Sequence, residues 1–450
     1  MTSSRVPGRI RGQLGDGVAG VLSQGVTAAT SLLAQLIAAV SLGLSQYGVF
    51  AVLLAMLVGV NALYIGFVCD SFTVFDRHAP RCRAALVCAA SLLIVLFTTA
   101  AAVLALTFAG GGIRSAALYA ALVGCKLVAE TVRRLFVARV AFRALLFNDV
   151  CCLVVTALAL ASLPTVVWSP TPAVLFGSMC CGALATVLVG LWQLPAVEWR
   201  GLRPGWTELP RLAEFAVWRA LQSGLRPLTL LAARLVVANV VSTAAVGVLE
   251  LARLVVAPLQ VVINGSGSLL LGKLAARERG GDRRDPRSIG RAAWSLAAGT
   301  VLGGLLSATA AVLLAPLVFG RTVDAATVFG WVAYLAVWAA GLPYATELVT
   351  RRRARAVFVP RLADSLVGLA LATSALLLGA PVAALPWSLA LGGVYAVYRL
   401  RVLVESGSES TVSSGVCDER QETAPAEEAE SHSRRTPHLP GGAPGSGERK

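Results

Sequence analysis

Apolar runs of about 20 residues or more alternate along the chain with short polar or basic segments. A bilayer's hydrocarbon core is about 30 Å thick, and a helix rising 1.5 Å per residue crosses it in about 20 residues. On that measure the pattern predicts twelve membrane-spanning helices, at 18–42, 47–68, 84–108, 115–137, 145–168, 172–194, 214–240, 244–270, 291–315, 324–349, 361–379 and 382–404. The first run is too long for the apolar segment of a cleavable signal, so it reads as a retained first span.

Composition agrees with the pattern. Of 450 residues, 56% are hydrophobic and 14% charged, more apolar surface than a water-soluble chain can hide. The net charge of +15 matters less than its placement. With a cytoplasmic N-terminus and all twelve spans, 32 of the 39 Lys and Arg fall on the cytoplasmic side. Only Arg114 and Arg321 fall outside, and Lys126, Arg219, Arg226, Arg234 and Arg253 lie within spans. Positive residues favour the cytoplasmic side, and one span more or fewer would scramble the alternation. A multi-pass protein of the cytoplasmic (plasma) membrane is predicted, with both termini inside.

The outer loops SLGLSQ, AGGGIRS and SPTP leave no room for an ectodomain. The basic inner segments KLAARERGGDRRDPRSIGR (273–291) and RRRAR (351–355) read as topology determinants, in reach of anionic membrane lipids. Residues 405–450 are rich in Ser, Glu, Pro and Gly and read as a disordered cytoplasmic tail. Nothing points to nucleic acid. Nine cysteines form no CxxC, and the three histidines lie far in sequence from either cysteine pair, so neither metal nor cofactor is expected. The pairs 151–152 and 180–181 fall in consecutive spans, close enough for contact, with no disulfide predicted.

YGVFAVLLAMLVGVNALYIG (47–66) aligns without gaps on VGVLELARLVVAPLQVVING (246–265), at an offset of 199. Gly48 meets Gly247, Val49 meets Val248, Gly66 meets Gly265, and Asn61 stands opposite Gln260. Spans two and eight are thus equivalent. Six spans per half is an even number, so the repeat is parallel, as in transporters related by an axis along the membrane normal. The domain organisation follows: an N-terminal tail 1–17, a six-helix bundle 18–194, a linker 195–213, a second bundle 214–404, and the tail 405–450.

SLGLSQYGVFAVL (41–53) resembles the LG…YG.FA signature of the polysaccharide-type lipid-linked oligosaccharide flippases, within the multidrug/oligosaccharidyl-lipid/polysaccharide (MOP) exporter superfamily. VGVLELARLVVAPLQ (246–260) is similar to the matching segment of that family's second half. The resemblance implies an all-α, MATE-like fold of two six-helix bundles around a V-shaped central cleft. It also implies alternating access, a polyprenyl-diphosphate-linked glycan as cargo, and a glycan polymerase or glycosyltransferases as companions. Fourteen helices, as in the peptidoglycan-precursor flippases of the superfamily, do not fit the spacing.

Charges inside spans are expensive and mark candidate sites. At 100° per residue, Arg219, Gln222, Arg226 and Arg234 share an arc of about 120° on the seventh span, and Arg219 to Arg234 is about 22 Å along the axis. This ladder is the candidate diphosphate site, since guanidinium matches phosphate oxygens and stays charged when desolvated. Gln24 and Gln35 lie on one polar face of the first span, with Thr27 and Ser31 close by, placed to meet sugar hydroxyls. Lys126 with Glu130 (i,i+4) and Glu250 with Arg253 (i,i+3) read as self-neutralising structural pairs; were Glu130 or Glu250 to face water, it would carry a coupling proton. Glu347 and Arg351 read as a surface pair.

The rival reading is a small-molecule or multidrug exporter on the same scaffold. Spans one and seven hold no interior Asp or Glu, and a cationic cleft repels cationic drugs. A membrane glycosyltransferase would need a sizeable outer loop, so no enzyme activity is expected.

Overall fold

The computed structural model describes residues 7–74, 79–108, 112–162, 171–199, 202–279, 286–319, 322–350 and 354–421. Among them are twelve helices of 20 residues or more and no strand. They are α1 Pro7–Ser41, α2 Leu44–Tyr64, α3 Pro80–Phe108, α4 Gly112–Ala138, α5 Phe142–Ala161 and α6 Pro172–Gln193. The second set comprises α7 Leu209–Val240, α8 Thr243–Arg279, α9 Pro286–Phe319, α10 Ala325–Thr350, α11 Ala354–Leu377 and α12 Ala384–Gln421. Every predicted span has its helix. Ten are long and apolar enough to cross a membrane. The others are α7, interrupted by its arginines, and α12, which carries Arg399 and Arg401.

By packing, residues 1–404 form one compact unit and 405–450 another. The predicted structureless tail is helical from Glu405 as far as Gln421, and 422–450 lie outside the described residues, as does Arg351 of the predicted Glu347 pair.

The pairing of helices repeats from one half to the other. α1 packs on α5 as α7 packs on α11, α3 on α4 as α9 on α10, and α2 on α4 as α8 on α10. α6 lies against α4 and α5. α12 does the same to α10 and α11, with Gly330 against Pro386 and Trp387, and Gly392 against Asp364 and Gly368. This is the pattern of two six-helix bundles related by a parallel repeat. Large apolar side chains such as Val95, Leu188, Leu306 and Leu391 are exposed on the outside, as suits a lipid environment.

The halves meet through α2 and α8. A Cβ at Gly48 would be driven into the carbonyl of Thr243, and one at Gly247 into that of Leu44. Each glycine faces the backbone at the start of the opposite helix, and both residue pairs are related by the offset of 199 read from the sequence. The Ser45 and Thr243 hydroxyls hydrogen-bond at the same crossing, at 2.9 Å. Gly is required here because two helical backbones approach closer than a methyl group permits.

The linker is strapped to the first bundle. Arg83 Nη2 donates to the carbonyls of Val197 (2.7 Å) and Glu198 (3.1 Å), and Arg139 pairs with the Glu198 carboxylate at 3.1 Å. The Gly205 N–H donates to Ala84 O at 3.0 Å. Beyond it, Leu212 and Ala216 of α7 are buried against Ala85, Leu86 and Ala89 of α3.

At the start of α10, Asp324 accepts from the Thr327 N–H (2.9 Å) and hydroxyl (2.5 Å). The Thr327 hydroxyl holds its carboxyl below the ordinary value. The sign is that of a depressed acid: the cap acts in full above about pH 3.9 and is lost as the pH falls through the lower, folded value. Asp324→Ala should cost about 1 kcal/mol at neutral pH, with the difference from wild type shrinking in acid; thermal unfolding at two pH values checks it. At the helix crossing, Gly48→Ala and Gly247→Ala should each destabilise by about 1–3 kcal/mol, whereas Gly265→Ala, with nothing within 4 Å, should be neutral. Equal melting temperatures for all three variants would contradict the crossing.

Candidate functional site

A cavity of about 570 Å³ lies where α1, α2, α7 and α8 face one another. Most of its wall is apolar, with Leu32, Phe50, Leu54 and Leu230 among the lining side chains. Its charged lining is Arg226, Arg234, Glu250 and Arg253, three cations against one carboxylate. Ser31, Gln35, Gln260 and Asn264 add polar groups.

Glu250 organises two of the cations. Its Oε1 accepts from Arg234 Nε and its Oε2 from Arg253 Nε, each at 2.7 Å. Arg234 also donates to Leu230 O at 2.8 Å, closing the helix turn onto itself. Arg253 Nη2 reaches across to Gln35 Oε1 on α1 at 2.8 Å, joining the two halves. Gln35 is held in turn by Ser31 O and Oγ at 3.2 Å. The Glu250–Arg253 pair is present as predicted, and Arg234 joins it as a third member.

Arg226 is held differently. Its Nε donates to the Tyr334 hydroxyl at 3.2 Å, and its guanidinium carbon lies 3.7 Å from the ring centroid of Trp338. These partners belong to α10, so the side chain leans into the second bundle while it also lines the central cavity.

Arg219 and Gln222 stand apart from that cavity. Arg219 Nη2 forms an ion pair with Asp70 Oδ2 at 2.6 Å, and its Nη1 donates to Gln222 Oε1 at 3.1 Å. Asp70 follows a π-helical turn, Ile65–Cys69, that ends α2. The ladder seen on the helical wheel therefore divides: Arg219 fastens α7 to α2, Arg226 turns to α10, and Arg234 turns to α8. Gln24 is exposed on α1 and outside the cavity lining.

The first bundle holds its own charge cluster. The predicted Lys126–Glu130 pair is replaced by Glu130 with Arg134 (3.3 Å) and Arg133 (3.5 Å). Two guanidiniums one turn further on outcompete a single ammonium, which matches a carboxylate less well. Arg133 also pairs with Asp149 at 3.0 Å, and Asp149 accepts from Ser23 at 2.5 Å. Asp70, Tyr334 and Trp338 are not marked by the charge pattern. Asp149 was detectable as an acid inside the apolar run of the fifth span; the aromatic partners of Arg226 carry no such signal. The cysteines among the described residues are free, and Cys180 lies against Cys125 of α4.

The two seams between bundles are unequal. α2 and α7 are in close contact: a Cβ on Gly66 would lie 2.6 Å from Ala220 Cα and Arg219 O, and one on Gly224 would lie 2.6 Å from Leu63. In the equivalent seam between α8 and α1, Gly265 and Gly25 have nothing within 4 Å, and Val262 is exposed. Among the described residues, a hydrogen bond from Arg253 to Gln35 joins the two helices nearer the glycine crossing.

Neither a protein-family model nor a curated protein matches the sequence. Solved structures match the fold. A multidrug resistance MATE family transporter of the MOP superfamily, inward-facing, aligns with a TM-score of 0.67 at 11% identity, over 87% of this chain and 98% of that one. The lipid II flippase MurJ, inward closed, aligns with a TM-score of 0.67 at 9% identity, over 87% of each chain. A MOP superfamily transporter from Pyrococcus furiosus, described as having a binding pocket of reversed polarity, aligns at 0.56 and 11% identity over 86% of this chain and 94% of that one. The chain thus has the all-α, MATE-like fold shared by these multi-pass transporters.

Replacing Glu250 with Gln leaves two guanidiniums buried without a carboxylate. Glu250→Gln should lower the stability of the purified protein by about 3–5 kcal/mol, and Arg234→Met in the same chain should restore part of the loss. A wild-type melting temperature for Glu250→Gln would show that the triad does not hold α7 to α8.

Proposed function

We propose that the chain is a flippase that carries a polyprenyl-diphosphate-linked oligosaccharide across the cytoplasmic membrane by alternating access. The observation that carries this reading is the charge of the central cavity, three arginines against one glutamate between two similar bundles. A low-dielectric wall magnifies that excess, which attracts a diphosphate and repels an organic cation.

Arg253 and Arg226 are the assigned diphosphate contacts, with Arg234 adding its field. Arg219 and Gln222 take a different role from the one the sequence suggested, as a clasp on the α2–α7 seam. The opening between α1 and α8 suits a lipid whose tail stays in the bilayer while its head group enters. Gln35, Gln260 and Asn264 then face the sugars. Orientation with the basic loops in the cytoplasm makes the open seam continuous with the inner leaflet, where such lipids are assembled.

The apolar remainder of the wall also suits a hydrophobic small molecule, so the exporter reading supplies the second arm of the test. Proteoliposomes or spheroplasts are given a fluorescent polyprenyl-diphosphate lipid or, separately, ethidium. The wild-type protein should move the lipid and not the cation. Arg226→Gln with Arg253→Gln should slow the lipid about tenfold or more, the loss expected of a charge-assisted contact. Ethidium transport, or unchanged lipid transport by the folded double variant, would replace the flippase reading with the exporter one.

A further inference from the structure

A second cavity, of about 170 Å³, lies inside the second bundle between α7, α10, α11 and α12. Its charged lining is Arg226, Arg361 and Asp364, two guanidiniums against one carboxylate. Arg361 Nη1 lies 3.6 Å from Asp364 Oδ2, both side chains mostly buried, and the charge of Arg226 acts on both of them. That leaves one positive charge in excess.

The excess has an address. Arg226 spends its Nε on the Tyr334 hydroxyl and its face on Trp338, while its Nη2 is buried and has no hydrogen-bond partner among the described residues. A charged donor left short of partners is costly, and Arg226 lines a cavity with room for several water-sized groups, which invites an acceptor there. Other donors converge there. Tyr334 accepts from Arg226 and keeps its own proton to give, and Ser365 and Gln222 line the same wall.

We infer that this cavity binds a small monovalent inorganic anion of chloride size, held by Arg226 and Arg361 and neutralising the site. One negative charge balances the lining, and a doubly charged phosphate would overshoot it. The flanking Val337 and Leu389 offer nothing to a larger polar ligand. The site shares Arg226 with the central cavity, but it lies within one bundle and its test needs no transported lipid.

The test uses the purified full chain in nanodiscs, with chloride exchanged for gluconate at constant ionic strength. Chloride should raise the unfolding midpoint saturably in the wild type, as a ligand of the folded state does. In Arg361→Gln the apparent chloride affinity should fall about tenfold, the loss of one charge-assisted bond. Should that variant fail to fold, crystals of the wild type grown in bromide supply the second measurement, with an anomalous peak expected in the cavity between Arg226 and Arg361. No chloride dependence in the wild type, an undiminished affinity in folded Arg361→Gln, or bromide found only at the surface as an adventitious ion would each overturn the site.

Discussion

A guanidinium keeps its charge even among helices and hydrocarbon, so something must answer that charge, and this requirement shapes the interior of this chain. Glu250 answers for two arginines at once, Arg234 and Arg253, each at 2.7 Å. An ion triad of this kind is a poor source of net stability, since desolvation cancels much of the attraction. Its value is positional. It ties α7 to α8, and through Gln35 it ties α8 to α1, so the carboxylate sets where three helices stand around the cavity.

The same requirement explains why the cavity keeps a positive balance. One carboxylate serves two cations there, and Arg226 is steadied by an aromatic face and a phenol rather than by an acid in the cavity. Cation–π and neutral hydrogen bonds hold a charge in place without cancelling it. Arg219 is the opposite case, matched by Asp70 and thereby withdrawn from any polyanion. One helix thus presents a neutralised arginine, a shared one and an uncancelled one.

Much of the fold was legible along the chain. Length and apolarity located twelve helices, since lipid forces each span to satisfy its own backbone. The Gly48–Gly247 match at offset 199 proved to be the point where the repeat crosses itself. The direction of each arginine was not legible. Helical periodicity puts Arg219, Arg226 and Arg234 on one arc, but their partners come from α2, α10 and α8, which a single helix cannot reveal. Glu130 turned to Arg133 and Arg134 for a local reason that spacing alone leaves open. Arg361, at the very edge of the apolar run that hydropathy picks out, lies two turns inside α11 and lines an internal cavity, because the helix begins at Ala354.

The glycine crossing also bears on how two copies of one ancestral segment diverge. Gly48 makes room for the backbone of the second half, and Gly247 makes room for that of the first. Neither copy can gain a side chain there without collision, so the repeat keeps its own record at this depth. Gly66 is likewise held by α7, but its twin Gly265 faces open space and is free to drift. Ancestry should therefore be most visible where the halves touch, and fade first along the seam that parts.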